Sequence, residues 1–241
     1  MRRSNMSLPG LWSISAICVA LLAGQRPAVG QNASTKSSTV SAGDVSLQRS
    51  RVYIHVGKTG FGHEHAVEGR LSSGQMHLSG TPQPGMLVFH MPSFEADTPA
   101  ARRYIGLSGE TDAGTRSKVN ANLRGSDVLD VQRHPTAAFK ITSVTPLAQQ
   151  SKRGLPQFQF DGQFTLHGQT RPLRFVADVD TQGDWRHIRG GFAINQTDFG
   201  MTPYTTALGA IGVADRLTIF GDLWVAERDL KAAQAGAESR R

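Results

Sequence analysis

The segment His63-Glu64-His65 sets two imidazoles two positions apart. On a strand such residues share a face, and two imidazoles on one face are half of a transition-metal site if a third ligand converges on them. His55, His77 and His90 lie on neighbouring expected strands and are the available third ligands. A metal-assisted hydrolase at His63 and His65 would need an open coordination position and a general base, with Glu64 or Glu68 as the base. Solvated strand histidines are the plainer reading, because H-x-H recurs often and nothing in the spacing fixes a third ligand.

Arg102 and Arg103, beside Tyr104 in a short helical stretch, would meet an anionic head group if that stretch bordered a binding site. Arg116, Lys118 and Arg124 raise the same possibility in a second stretch, although a solvated helix face is the simpler role for all of them. Asp198 is a further head-group candidate, weighed against capping of local amides. The chain has no G-x-S-x-G elbow, P-loop, Rossmann fingerprint or H-E-x-x-H helix. No catalytic set and no cofactor is therefore expected.

The elements that position these residues follow from the 241-residue chain, with 39% hydrophobic and 19% charged residues, a composition that folds. A single cysteine, Cys18, excludes an intramolecular disulfide framework and any multi-cysteine metal centre. Residues 1–30 read as a signal peptide: Arg2 and Arg3 precede an apolar run over 11–24, then Ala28, Val29 and Gly30 resemble a cleavage pattern. That run is shorter than the roughly 18–20 residues a spanning helix needs. The expected address is export to a bacterial periplasm or beyond. Residues 31–46 are Ser/Thr-rich and expected to be a flexible linker, 47–226 the folded domain, and 227–241 a polar tail.

Formal charge is +7; without Arg2, Arg3 and Arg26 it is 23 basic against 19 acidic residues, or +4. That excess suits transient contact with an anionic head group or membrane surface. No basic stripe is interleaved with aromatics, so nucleic acid is not expected as a partner.

From Arg51 onward, apolar and polar residues exchange places with period two, as in strands with one buried face. Over 157–167, Phe158, Phe160, Phe164 and Leu166 fall on one side, with Gln157, Gln159, Asp161, Gln163 and Thr165 opposite. Residues 173–179 alternate after a turn-like Gly168–Pro172 segment, predicting a hairpin. Further strands are expected at 52–56, 63–71, 75–78, 86–91, 136–144, 185–195 and 217–225, with helices at 99–105 and 115–124. Val119 and Leu123 give the second helix a narrow apolar face suited to closing a barrel end. The expected fold is mainly β, an eight-stranded antiparallel lipocalin-like barrel with a short helical insert.

Such a barrel either fills its own lumen or holds a slender ligand. The expected lining is Phe139, Phe158, Phe160, Phe164, Phe175, Phe192, Ile194, Phe199, Leu217 and Ile219. These side chains either pack a solid core or line an apolar tunnel, where each buried methylene of a guest would gain about 0.8 kcal/mol.

Four segments resemble the YceI-like family of exported polyisoprenoid-binding proteins. Ser126–Asp130 leading into His134–Phe139 is similar to an acidic, apolar turn followed by a Pro-x-x-x-Phe strand. Thr165–Pro172 resembles the L-x-G-x-T-(K/R)-P hairpin, Ile194–Met201 the I-x-R-x-D-F-G segment, and Asp215 with the strand after it the last strand. The resemblance implies a lipocalin-like barrel whose lumen takes the chain of an isoprenoid or other long-chain lipid, with no catalytic residues. Gln196 stands where the family often has Arg, and Leu129 and His134 where aromatics are common.

Overall fold

The structure, a computed structural model, describes residues 40–79 and 85–230. The expected signal peptide, the linker up to residue 39 and the tail from 231 lie outside the described residues.

Alternation becomes a closed sheet. The long strands are β1 (Arg51–Gly60), β2 (His65–Met76), β3 (Gly85–Ala96), β4 (Thr136–Gln150), β5 (Pro156–Leu166), β6 (Gln169–Gln182), β7 (Trp185–Asn195) and β9 (Ile211–Ala226). Each pairs antiparallel with its neighbour in that order, and β9 returns to β1, with Tyr53 opposite Phe220 and Ile54 opposite Ile219. Closure removes both sheet edges. A two-residue β8 (Thr205–Thr206) braces the start of β9. The 75–78 segment, expected as a separate strand, splits between the end of β2 and the loop after it. The register of β2 shifts between Leu71 and Ser73, a bulge that bends one strand where the pattern suggested two.

Two helices sit between β3 and β4: α1 (Pro99–Ile105) and α2 (Ala113–Arg124). Thr98 caps α1 by accepting from the Ala101 amide, Pro99 opens it, and Gly106 closes it at φ 87°, a left-handed conformation that costs glycine little. Asp112 caps α2 through the Thr115 amide at 3.0 Å. The buried Asn120 docks α2 onto the end of β3. Its side-chain oxygen accepts from the Ala96 amide at 2.8 Å, and Arg124 Nε donates to the Phe94 carbonyl at 3.2 Å.

The opposite end is closed by residues expected to be a flexible linker. Val45 N donates to Gly74 O, Met76 N to Gly43 O, Ser46 N to Trp224 O and Ala226 N to Asp44 O, all within 2.8–3.0 Å. This strap bridges β2 and β9, and Val45 is buried in the core. Residues 227–230 of the expected tail are tied down as well. Leu230 and Val40 exchange two backbone hydrogen bonds, while Glu227 and Arg228 pair with Arg186 and Asp184. Backbone donors that would otherwise be orphaned at a barrel end find partners here.

A candidate ligand-binding lumen

Side chains of β1–β7 and β9 point alternately inward and outward, and the inner set leaves space. The barrel encloses a cavity of about 200 Å³ that runs from Met76, Leu87 and Leu223 near the strapped end to Val119, Leu123 and Met201 at the helical end. Its wall is almost wholly carbon. Among the described residues, the polar side chains that reach it are His65, Asn122, Gln196 and Tyr204, all at the helical end. An apolar space with polar groups at one end suits an amphiphile whose chain enters first.

Of the ten expected lining residues, Phe139, Phe160, Phe164, Phe175, Phe192, Ile194, Leu217 and Ile219 line this space. Phe158 is half-buried and packs against the core without lining the cavity, and Phe199 is buried in the turn after β7. The rings form a chain: Phe160 stacks on Phe175 at 5.3 Å, Phe175 meets Phe192 at 5.2 Å, and Phe164 meets Phe199 edge-on at 5.6 Å. Such pairs hold each ring in place and keep the wall from collapsing inward. Gly162 is required where the wall is tight. A Cβ there would lie 2.3 Å from the Lys140 carbonyl oxygen and 2.6 Å from the Phe139 ring.

The head-group candidates do not converge on the cavity. Arg102 is committed to structure: its guanidinium pairs with Asp97 at 3.1 Å and donates to the carbonyls of Ser108 and Gly109. Arg103 is exposed on α1 and absent from the cavity wall. Asp198 is exposed and accepts from Asn195 Nδ2 at 3.2 Å, so it braces its own turn. The His63/His65 pair is likewise not assembled as a chelate. His63 is exposed in the turn before β2, while His65 Nδ1 lies 2.7 Å from Asp97 Oδ2. Glu64, the suggested base, lies 3.0 Å from His55 Nε2.

Asp97 is fully buried and anchors the helical end, with His65, Arg102, Thr111 and the Ala66 amide around its carboxyl. Burial pushes this carboxyl up, but the hydrogen bonds from His65, Ala66 and Thr111 outweigh it and hold the pKa below the ordinary aspartate value. Asp215 holds the next segment, accepting from Thr197 Oγ1 at 2.7 Å and Thr197 N at 2.9 Å; these bonds lower its pKa. That grip seats Gln196, which is buried, faces the cavity and donates to the Ala214 carbonyl at 2.8 Å. In the sequence Gln196 stands out only as a departure from a motif. Its neighbours Asn195 and Thr197 are exposed, and that contrast appears only once the chain is folded.

A closed antiparallel barrel around an apolar lumen defines the lipocalin-like class of architecture. Within it, the model of the YceI-like domain matches residues 39–223, and the chain belongs to that family. A UPF0312 protein of Azotobacter vinelandii is 29% identical over 116 residues, 45% of this chain and 57% of that protein. A UPF0312 protein of Pectobacterium atrosepticum is 33% identical over 101 residues, 39% of this chain and 47% of that one. The chain thus spans about half the length of the curated relatives it matches. Among solved structures, BcnA of Burkholderia cenocepacia superposes with a TM-score of 0.51 at 18% identity, covering 76% of this chain and all of that one. A polyisoprenoid-binding domain from Saccharophagus degradans, implicated in plant cell wall breakdown, gives 0.52 at 12% identity over 77% of this chain and 99% of that one. These likenesses show a shared fold.

Proposed function

We propose that this chain binds a long-chain isoprenoid or similar amphiphilic lipid inside the barrel and carries it through an aqueous compartment outside the cytoplasm, without catalysing a reaction on it. The observation that carries this reading is the lumen itself, walled by carbon and polar at one end only. A barrel filled by its own side chains would leave few voids larger than a water molecule, which argues against a purely structural role. Each guest methylene taken from water contributes about 0.8 kcal/mol, so affinity grows with chain length until the lumen is full. The polyisoprenoid-binding domain among the structural relatives supports the same ligand class by analogy of fold.

The helical end is the proposed mouth, and its rim carries an apolar tip. Phe61 is 84% exposed, Leu208, Tyr204 and Ile211 are exposed too, and the Phe61 amide donates to the Ala210 carbonyl, which joins the two loops. Exposed Lys58 lies beside them, opposite Val213 in the β1–β9 register. Apolar side chains beside a cation suit brief docking on an anionic bilayer. Signal-directed export would place the protein where such membranes face an aqueous space.

Lipid extraction from protein purified from its native host, followed by mass spectrometry, tests the reading most directly. One class of long-chain lipid in near-stoichiometric amount is the expected result. Recovery of no lipid, together with no binding of prenyl diphosphates or prenyl alcohols in solution, would overturn it. Sedimentation with phosphatidylglycerol vesicles tests the docking tip, and the Phe61→Asp, Leu208→Asp variant should stay in the supernatant with its lipid binding intact.

A further inference from the structure

We propose that Asp130, His134 and His167 form a binding site for one divalent transition-metal ion of the zinc class at the helical end of the barrel. The three come from two separate places in the chain. Asp130 and His134 occupy the turn between α2 and β4, and His167 begins the two-residue turn of the β5–β6 hairpin. Folding brings one potential ligand atom from each to within 4.8 Å of the others. Tetrahedral coordination at about 2.0–2.2 Å needs ligand atoms roughly 3.3–3.6 Å apart, so small side-chain rotations complete the set.

The tautomer of His167 is the second, independent observation. Its Nδ1 lies 3.2 Å from the carbonyl oxygen of Phe199. A carbonyl can only accept, so Nδ1 carries the proton and Nε2 presents a lone pair. That Nε2 is buried and has no hydrogen-bond partner among the described residues. A buried imidazole lone pair without a donor is costly in a folded protein, and a metal ion satisfies it. A backbone carbonyl on the far nitrogen is also the usual support that orients a metal-binding histidine.

The rest of the cluster agrees. The His134 ring centroid is 4.6 Å from that of His167, with the planes tilted by 57°. Gly168 makes room for this approach, since a Cβ there would lie 3.0 Å from His134 Cε1. Asp130 is buried, and its ion pair is to Arg133 at 3.7 Å, an arginine whose side chain is 82% exposed and free to swing away. Asp130 and His167 both hold left-handed backbone, at φ 41° and 49°. Surroundings that over-determine such a conformation often belong to ligand clamps. Two imidazoles and one carboxylate suit Zn²⁺, with Ni²⁺ and Cu²⁺ as competitors, and do not suit Ca²⁺ or Mg²⁺. Three protein ligands leave a fourth position for water or an exogenous donor. None of the three side chains lines the lumen, so the proposal does not rest on the lumen's ligand.

The test is equilibrium dialysis of the purified protein against Zn²⁺ with elemental analysis, alongside visible absorption of the Co²⁺-loaded protein. One ion per chain is expected, with the d–d bands of a low-coordinate Co²⁺ complex and a Zn²⁺-dependent rise in melting temperature. His134→Gln and His167→Gln should each weaken binding at least tenfold and abolish both signatures, whereas His55→Ala and His63→Ala should leave them unchanged. Circular dichroism of each variant separates loss of the site from loss of the fold, and the His134→Gln variant, outside the β5–β6 hairpin, carries the test if His167→Gln does not fold. Absence of stoichiometric metal from the parent protein would overturn the proposal. So would undiminished binding in His134→Gln, or loss of the ion in His63→Ala.

Discussion

The two ends of the barrel are closed by different physics. At the strapped end, residues 40–46 lie across β2 and β9 and are fixed by backbone hydrogen bonds, with Val45 driven into the core. At the helical end, side chains carry more of the closure: Asn120 and Arg124 hold α2, Asp97 gathers His65 and Arg102, and Asp215 grips Thr197. Backbone pairing is insensitive to sequence detail and leaves little to move. Side-chain anchoring can be released group by group, which suits the end proposed as the mouth.

Breaking the packing between the ends has the largest expected effect. Phe160 is fully buried and stacked on Phe175, so Phe160→Ala should cost about 3–5 kcal/mol, read from chemical denaturation of the lipid-free protein. At the helical end, Asp97→Asn leaves Arg102 without its carboxylate. A loss of about 2–3 kcal/mol is expected, below the range for fully buried pairs because Arg102 and His65 keep some solvent contact. The same carboxyl sets a pH signature. Its pKa is lower folded than unfolded, so its stabilisation is complete above the unfolded value near 4 and fades as pH falls through the folded one. Denaturation midpoints measured below about pH 4 should therefore drop less steeply in Asp97→Asn than in the parent protein.

A smaller contrast comes from matched truncations. Val45→Ala at the strapped end should cost about 2 kcal/mol, because the side chain is buried in the core. Val119→Ala on α2 removes a half-buried side chain that already faces the cavity, and should cost about 1 kcal/mol or less. Equal losses would erase the distinction between the ends. An effect of similar size is expected at Ser50, whose Oγ accepts from the Trp224 amide at 2.9 Å. Ser50→Ala should cost about 1 kcal/mol and speed hydrogen exchange at that amide.

Much of this architecture can be read along the chain because its causes are local. Period-two alternation marks where a strand must present one face to a core, so all eight long strands overlap windows recognisable as residues, and α1 spans its expected range. Strand ends are harder. β4 continues to Gln150 beyond the apolar run because its ladder partner β5 is there to pair with, although its outer half is exposed. Residues 40–46 look like a linker because Ser41, Gly43 and Ser46 say nothing about which ladder a backbone will join.

The candidate sites divide the same way. The sequence alone determined that a ring of phenylalanines faces inward, since facing is a matter of parity along each strand. It could not determine that these rings surround open space, because lumen volume depends on how eight strands tilt and close together. Nor could it show that His65 is spent on Asp97, 32 residues away, or that Asp130 and His134 meet His167. Those encounters exist only after the hairpins pair, when register and barrel closure set which distant side chains become neighbours.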